Sequence, residues 1–174
     1  YRDLDDASDR FAAALQQLGI AKGDRVGIML PNLPQTAIAF FGILKAGAIA
    51  VNINPTYPSY ELKHVLADSG ARAIVMLSGL VERLTPIRDD VAIENVIVTD
   101  VADTISQPFR MMAEKQLRAT GMMKPVEYRG GVHPFAQLLN GAPAAPQPVD
   151  MAPDDAVLFQ YTGGTTGIPK AAML

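Results

Sequence analysis

The chain has 174 residues, of which 49% are hydrophobic and 19% charged. That is enough apolar material for the core of one ordinary domain. The formal net charge of −3 provides no basic field of the kind a nucleic-acid surface needs, so no nucleic-acid partner is expected. There is no cysteine, which excludes disulfides, thiolate zinc sites and a cysteine nucleophile and suits a reducing cytoplasm.

The opening Tyr1-Arg2-Asp3-Leu4-Asp5-Asp6 is polar and acidic, unlike a secretory leader. Asp3 suits a helix N-cap, with Asp6 in the first turn. Leu4, Ala7, Phe11, Ala14, Leu15 and Leu18 then recur at helical spacing until Gly19 stops the pattern. Residues 25–30 (RVGIML) have the length of a buried strand. Pro34 stands where a first helical turn begins, and 37–44 are apolar on nearly every side, as in a helix held between layers. Gly47 precedes a second strand over 48–53. The best candidate for a membrane span, 28–51, is interrupted by Pro31, Asn32, Pro34, Gln35 and Lys45 and fails as one. Ser59 suits the cap of a helix that turns Leu62, Val65 and Leu66 inward and ends at Gly70. A third strand follows over 72–77, a helix weakened by Pro86 over 81–91, and a fourth strand over 95–99. Continuous apolar strands alternating with helices predict an α/β fold, a parallel sheet with helices on both faces.

Residues 100–150 break this rhythm with Pro108, Pro125, Pro134, Pro143, Pro146 and Pro148 and with paired Gly130 and Gly131. A helix is expected over 109–117, and 142–153 (APAAPQPVDMAP) reads as a linker by composition. A last strand over 156–161 runs straight into Thr162-Gly163-Gly164-Thr165-Thr166-Gly167-Ile168-Pro169-Lys170. The organisation is therefore a βα-repeating part (1–100), an irregular insertion with a Pro-rich linker (101–153), and a last strand with its glycine loop (154–174). No internal repeat goes beyond the βα alternation. Tyr1 is no start residue and 171–174 form an apolar run, so the chain is expected to be an internal piece of a longer protein.

The segment after the last strand carries the chemistry. Three glycines let a backbone approach an anion closely, and successive N–H groups in such a turn form a nest for phosphate oxygens. Hydroxyls of Thr162, Thr165 and Thr166 add donors that also suit a phosphate-bound Mg²⁺, and Lys170 adds a positive charge. The candidate nucleotide-binding residues are thus Thr162, Gly163, Gly164, Thr165, Thr166, Gly167 and Lys170. The Walker pattern is absent, since Lys170 lies between Pro169 and Ala171, and so is the dinucleotide Gly-x-Gly-x-x-Gly pattern. The alternative is a glycine-rich hairpin without a ligand; the strand before it and the lysine after it favour phosphate.

Tyr161 to Lys170 closely resembles the phosphate-loop signature of the adenylate-forming superfamily of acyl-CoA synthetases, luciferases and peptide-synthetase adenylation domains. Tyr1-Arg2-Asp3-Leu4 resembles the family's first motif and residues 44–55 (LKAGAIAVNINP) its second. Gly23-Asp24-Arg25-Val26 and Leu30-Pro31-Asn32 also look like the family. Val51-Asn52-Ile53-Asn54-Pro55 is closer to fatty-acyl-CoA synthetases than to adenylation domains, as is Gly163, where many relatives carry serine. Ala171 departs from the family's usual glycine.

The resemblance implies part of a large N-terminal domain, and a parent enzyme that is a fatty-acid–CoA ligase. In its first step a fatty carboxylate attacks the α-phosphorus of Mg-ATP, giving acyl-AMP and pyrophosphate. In its second the thiol of coenzyme A displaces AMP. No general base is required, since the carboxylate is already ionised at neutral pH. ATP, Mg²⁺ and coenzyme A are therefore the expected cofactors and co-substrates. By the same resemblance the adenine, ribose and catalytic-lysine residues lie beyond Leu174, so the chain alone is expected to be inactive, with Lys170 lacking a following helix to anchor it. Two alternatives stay open: transfer to a non-CoA acceptor such as a carrier protein, and a non-catalytic nucleotide-binding module.

Other chemistry-bearing residues are read as structural. His64, Glu61 and Asp68 are expected on the solvated side of a helix. His133 has no partner at metal-ligand spacing, and Asn52 and Asn54 end a strand. No metal site and no serine-hydrolase elbow is present. Arg110, Lys115, Arg118 and Lys124 among Met111, Met112, Met122 and Met123 make 109–124 a candidate for peripheral contact with the inner face of a membrane.

Overall fold

The apolar runs become strands and the periodic stretches helices. The computed structural model describes residues 1–162 and 169–174. The chain runs α1 (Arg2–Gln17), β1 (Arg25–Met29), α2 (Pro34–Lys45), β2 (Ile49–Asn52), α3 (Ser59–Ser69), β3 (Ala73–Leu77), β4 (Asn95–Thr99), α4 (Phe109–Ala119), β5 (Val132–Pro134), α5 (Phe135–Gly141), β6 (Leu158–Thr162) and β7 (Lys170–Met173). One sheet holds them in the order β5-β4-β3-β1-β2-β6-β7. Every pairing is parallel except β6 with β7, which is antiparallel.

Alternate residues of the strands supply two cores, as a two-faced sheet requires. Val26, Ile28, Val75 and Ile97 pack with Phe11 and Leu15 of α1, Ile43 of α2 and Phe135 of α5. Met29, Val51, Ile74, Met76, Val96 and Val98 pack on the other face with Leu62, Val65 and Leu66 of α3 and with Tyr161. Helices thus cover both faces.

Several element ends differ from the sequence reading. Helix α1 has Tyr1 rather than Asp3 at its N-cap, and Asp3 and Asp5 occupy the first turn, where carboxylates meet the positive end of the helix. Pro58 precedes α3, with Ser59 as its first residue and no side-chain cap. The stretch around Pro86 is not an α-helix but two 3₁₀ segments, Ser78–Arg83 and Thr85–Asp90, with the proline in the first turn of the second. There its missing N–H costs nothing.

Residues 101–153 are less irregular than composition suggested. They supply β5, which extends the sheet beyond β4, and α5, whose Phe135 ring sits 5.0 Å from that of Phe11. The Pro-rich stretch is fastened along the body of the fold. Gln147 N–H donates to Gln16 Oε1 at 2.8 Å, and Gln16 Nε2 returns a bond to the Gln147 carbonyl at 3.0 Å. Lys22 donates to the Asp150 carbonyl and pairs with Asp155. Neither β5 nor β7 announced itself, because three- and four-residue strands carry too short a pattern.

Helices α1 and α2 meet closely at Gly42. A Cβ there would stand 2.7 Å from Phe11 Cδ1 and 2.9 Å from the Ser8 carbonyl oxygen, and the second is backbone that cannot step aside. Lys45 closes the same seam, with Nζ 2.7 Å from Asp9 Oδ1 and bonded to Asp5 as well. Burial lowers the Lys45 pKa, but the bonds and charges of the two aspartates outweigh it and the net shift is upward. Gly42→Ala should therefore destabilise the fold. Overpacking costs about 1–3 kcal/mol, against roughly 1 kcal/mol returned by better helix propensity. A net loss of up to about 2 kcal/mol by urea unfolding is the expected outcome, and a stabilised variant would show that the seam is looser than described.

Candidate phosphate-binding site at the carboxyl edge of the sheet

The connections from β1 and β2 leave in opposite directions. β1 passes to α2, in the Phe11 core, and β2 passes to α3, in the Leu62 core on the other face. Adjacent parallel strands that part in this way leave a crevice outside their carboxyl ends, where open α/β sheets take ligands. A cleft of about 400 Å³ lies there, lined among others by Ile28 of β1 with Leu30, Asn32 and Thr36 after it, Asn52 of β2 with Asn54 and Tyr57 after it, and Gln160 and Tyr161 of β6.

Its walls are held by local bonds. Asn52 Nδ2 donates to Gln160 Oε1 at 2.8 Å, joining β2 to β6 at their carboxyl ends. Asn54 Oδ1 accepts from the Thr56 N–H and hydroxyl, an Asx turn. Arg83 NH1 donates to the Pro55 and Tyr57 carbonyls, both at 2.7 Å. Thr36 Oγ1 donates to the Pro31 carbonyl at 2.6 Å and accepts from the Leu33 N–H, fixing the entry to α2. Asn52 does end β2, whereas Asn54 lies in the turn two residues beyond it, and both also line this cleft.

β6, whose Gln160 and Tyr161 line the cleft, ends at Thr162, the residue before the glycine-rich segment. Of the candidate phosphate ligands, Gly163, Gly164, Thr165, Thr166 and Gly167 lie outside the described residues. Thr162 is the last residue of β6, and Lys170, exposed, is the first of β7 and stands opposite it in the antiparallel register. Lys170 is therefore not left without an anchor, contrary to the sequence reading: strand pairing takes the part expected of a helix. The apolar run 171–174 is what pairs, and alternation was invisible in Ala-Ala-Met-Leu.

Helix α3 faces this hairpin. The Tyr161 hydroxyl donates to Asp68 Oδ2 at 2.6 Å. Burial raises the Tyr161 pKa, and the bond to the Asp68 carboxylate and its charge raise it further. His64 was expected to be solvated, but it is half-buried with Nε2 3.0 Å from the Pro169 carbonyl oxygen. Helical spacing placed His64 away from Leu62 and Leu66; it could not show that β7 would return along that side. His133 Nε2 lies 2.9 Å from Asn95 Oδ1, a bond between β5 and β4. Among the described residues no group of three His, Asp or Glu side chains converges as metal ligands.

A mostly parallel sheet with helices on both faces and a crevice at its switch point defines an open α/β domain. The chain belongs to the AMP-binding enzyme family, whose pattern matches residues 1–174. It is 40% identical over 182 residues to the long-chain-fatty-acid–CoA ligase of Escherichia coli O157:H7, covering 100% of this chain and 31% of that protein. It is 35% identical over 181 residues to that of Bacillus subtilis (strain 168), with the same coverage. Among solved structures, a long-chain-fatty-acid–CoA ligase from Archaeoglobus fulgidus superposes with a TM-score of 0.75 at 26% identity, over 99% of this chain and 29% of that one. An anthranilate–CoA ligase in complex with anthranoyl-AMP shares the fold, with a TM-score of 0.80 at 24% identity over 99% and 29% of the two chains. The chain thus spans 31% of the length of these curated relatives.

The Tyr161–Asp68 bond can be tested by pH. A raised tyrosine pKa favours the folded state below the unfolded value of about 10, and that contribution is lost as pH rises through the folded value. Tyr161→Phe should cost about 0.5–1.5 kcal/mol near neutrality and flatten the loss of stability above pH ~10. Unfolding curves from neutral to alkaline pH read both, and an unchanged alkaline slope would mean that another group dominates there.

Proposed function

We propose that this chain supplies the triphosphate-binding part of an enzyme that activates a fatty acid as acyl-AMP and passes the acyl group to coenzyme A. The observation that carries the reading is placement: β6, which leads into the glycine-rich segment, has Gln160 and Tyr161 lining the crevice between β1 and β2, and Thr162 and Lys170 at the two ends of that segment stand opposite each other. The relatives named long-chain-fatty-acid–CoA ligases, matched over the whole chain, give the acyl class.

The N–H groups and hydroxyls of 162–167 and the Lys170 ammonium would hold the β- and γ-phosphates of ATP. They would offset the charge that grows on pyrophosphate as it leaves. Such donors act by being held in place before the reaction. Mg²⁺ would arrive with the triphosphate, and this chain offers it hydroxyls of Thr165 and Thr166 rather than a set of carboxylates. Coenzyme A and the fatty acid complete the small-molecule partners of this reading.

The second, weaker partner is a membrane surface at 109–124. Helix α4 has no buried residue, and Phe109, Met111 and Met112 are each about two-thirds exposed or more. Arg110 is paired with Asp103 and Glu114, and Lys124 with Glu82, so exposed Lys115 and Arg118 would carry the attraction to anionic lipid. No helix among the described residues is long and apolar enough to cross a membrane.

In the full-length enzyme, Lys170→Ala should lower fatty-acid-dependent ATP–pyrophosphate exchange about 10²–10³-fold, the loss of one charge-assisted contact to the leaving group. A change under about threefold would remove the assignment. Exchange without acyl-CoA formation would indicate a carrier acceptor, and no exchange in the parent a binding module. For the surface, Lys115→Gln with Arg118→Gln should weaken co-sedimentation with anionic vesicles, and salt should weaken it in the parent. Equal binding by the variant would eliminate this face as the contact.

A further inference from the structure

Helix α3 touches the loop-bearing hairpin on both of its arms. On the incoming arm the Tyr161 hydroxyl donates to Asp68 Oδ2 at 2.6 Å. On the outgoing arm His64 Nε2 lies 3.0 Å from the Pro169 carbonyl oxygen. A carbonyl only accepts, so His64 Nε2 carries the hydrogen; the neutral Nε2–H ring and the imidazolium both supply it. His64 and Asp68 are four residues apart and so share one face of the helix. The opposite face of α3 is fixed, with Leu62, Val65 and Leu66 at 0% exposure.

We propose that His64 is a positioning residue for the triphosphate of ATP, acting through the Pro169 carbonyl on the outgoing arm of the loop. The inference rests on the adenylation reading. The donors that would meet the phosphates lie between Tyr161 and Lys170, and both flanks of that segment are bonded to one helix whose other side is packed in the core. Stabilisation of a leaving pyrophosphate depends on donors fixed beforehand. The His64 bond fixes the peptide group just before Lys170, the residue that brings the loop's charge. Without it the outgoing arm keeps its strand pairing but loses this hydrogen bond to α3. The loss falls on ATP and leaves the fatty-acid site alone.

The test uses the full-length enzyme with His64→Ala and His64→Gln, glutamine placing an amide N–H where Nε2–H stood. In ATP–pyrophosphate exchange, His64→Ala should raise KM for ATP about three- to tenfold, the scale of one neutral hydrogen bond. KM for the fatty acid should stay within about twofold, and His64→Gln should return KM for ATP to within about twofold of the parent. Tryptic cleavage after Lys170 gives a readout without turnover: faster in His64→Ala, restored in His64→Gln, with thermal midpoints matched. An unchanged KM for ATP and cleavage rate in His64→Ala, beside normal exchange by the parent, would overturn this inference alone. Equal increases for both substrates without rescue by glutamine would overturn it too, in favour of general loosening. A parent that exchanges no pyrophosphate would overturn the adenylation reading and this one with it.

Discussion

The burial of both faces of a parallel sheet governs the rest of this molecule. Strands β1, β3 and β4 each direct alternate side chains into two separate cores, one under α1, α2 and α5 and one under α3 and the 3₁₀ segments. Neither core forms unless the chain crosses from one face to the other between strands. The first such crossing occurs after β2, and it opens the crevice between the carboxyl ends of β1 and β2. The site is thus a by-product of the same constraint that holds the fold together. Its floor is made of strand ends, and its walls are the loops that carry the chain to opposite faces.

Polar side chains at this edge tie loops to one another more than they reach into open space. Arg83 holds the turn at 55–57 and Thr36 the approach to α2. On the far side of the edge, buried Gln35 donates to the Asp100 carbonyl at 2.9 Å, and the Ser78 hydroxyl donates to the Asp100 carboxylate at 2.6 Å. Burial raises the Asp100 pKa more than the bond from Ser78 lowers it. A site built for phosphate needs such an edge, because donors stabilise charge only when they are already in place.

The hairpin of β6 and β7 extends this logic to the loop. A glycine-rich segment ordered by its own sequence would be too permissive to hold an anion. Here its two flanks are strands of the sheet, and each flank is also bonded to α3. The antiparallel pairing matters for a second reason. It gives Lys170 a backbone register opposite Thr162, so the two ends of the proposed phosphate segment are brought together by main-chain bonds.

The sequence by itself determined the α/β class, the four consecutive parallel strands and the helices α1, α2 and α3, and it singled out the segment proposed for phosphate. Those rest on local causes: continuous apolar runs, 3.6-residue periodicity, and glycine and threonine after a strand. Tertiary structure alone decided what depends on residues distant in the chain. Val132–Pro134 is a strand only because β4 offers it an edge, and Lys170–Met173 only because β6 does. The Pro-rich stretch is anchored because Gln16 and Lys22 meet it. His64 looked solvated because a helix pattern shows which side faces the core beneath it, and not what a hairpin more than a hundred residues later lays along its flank.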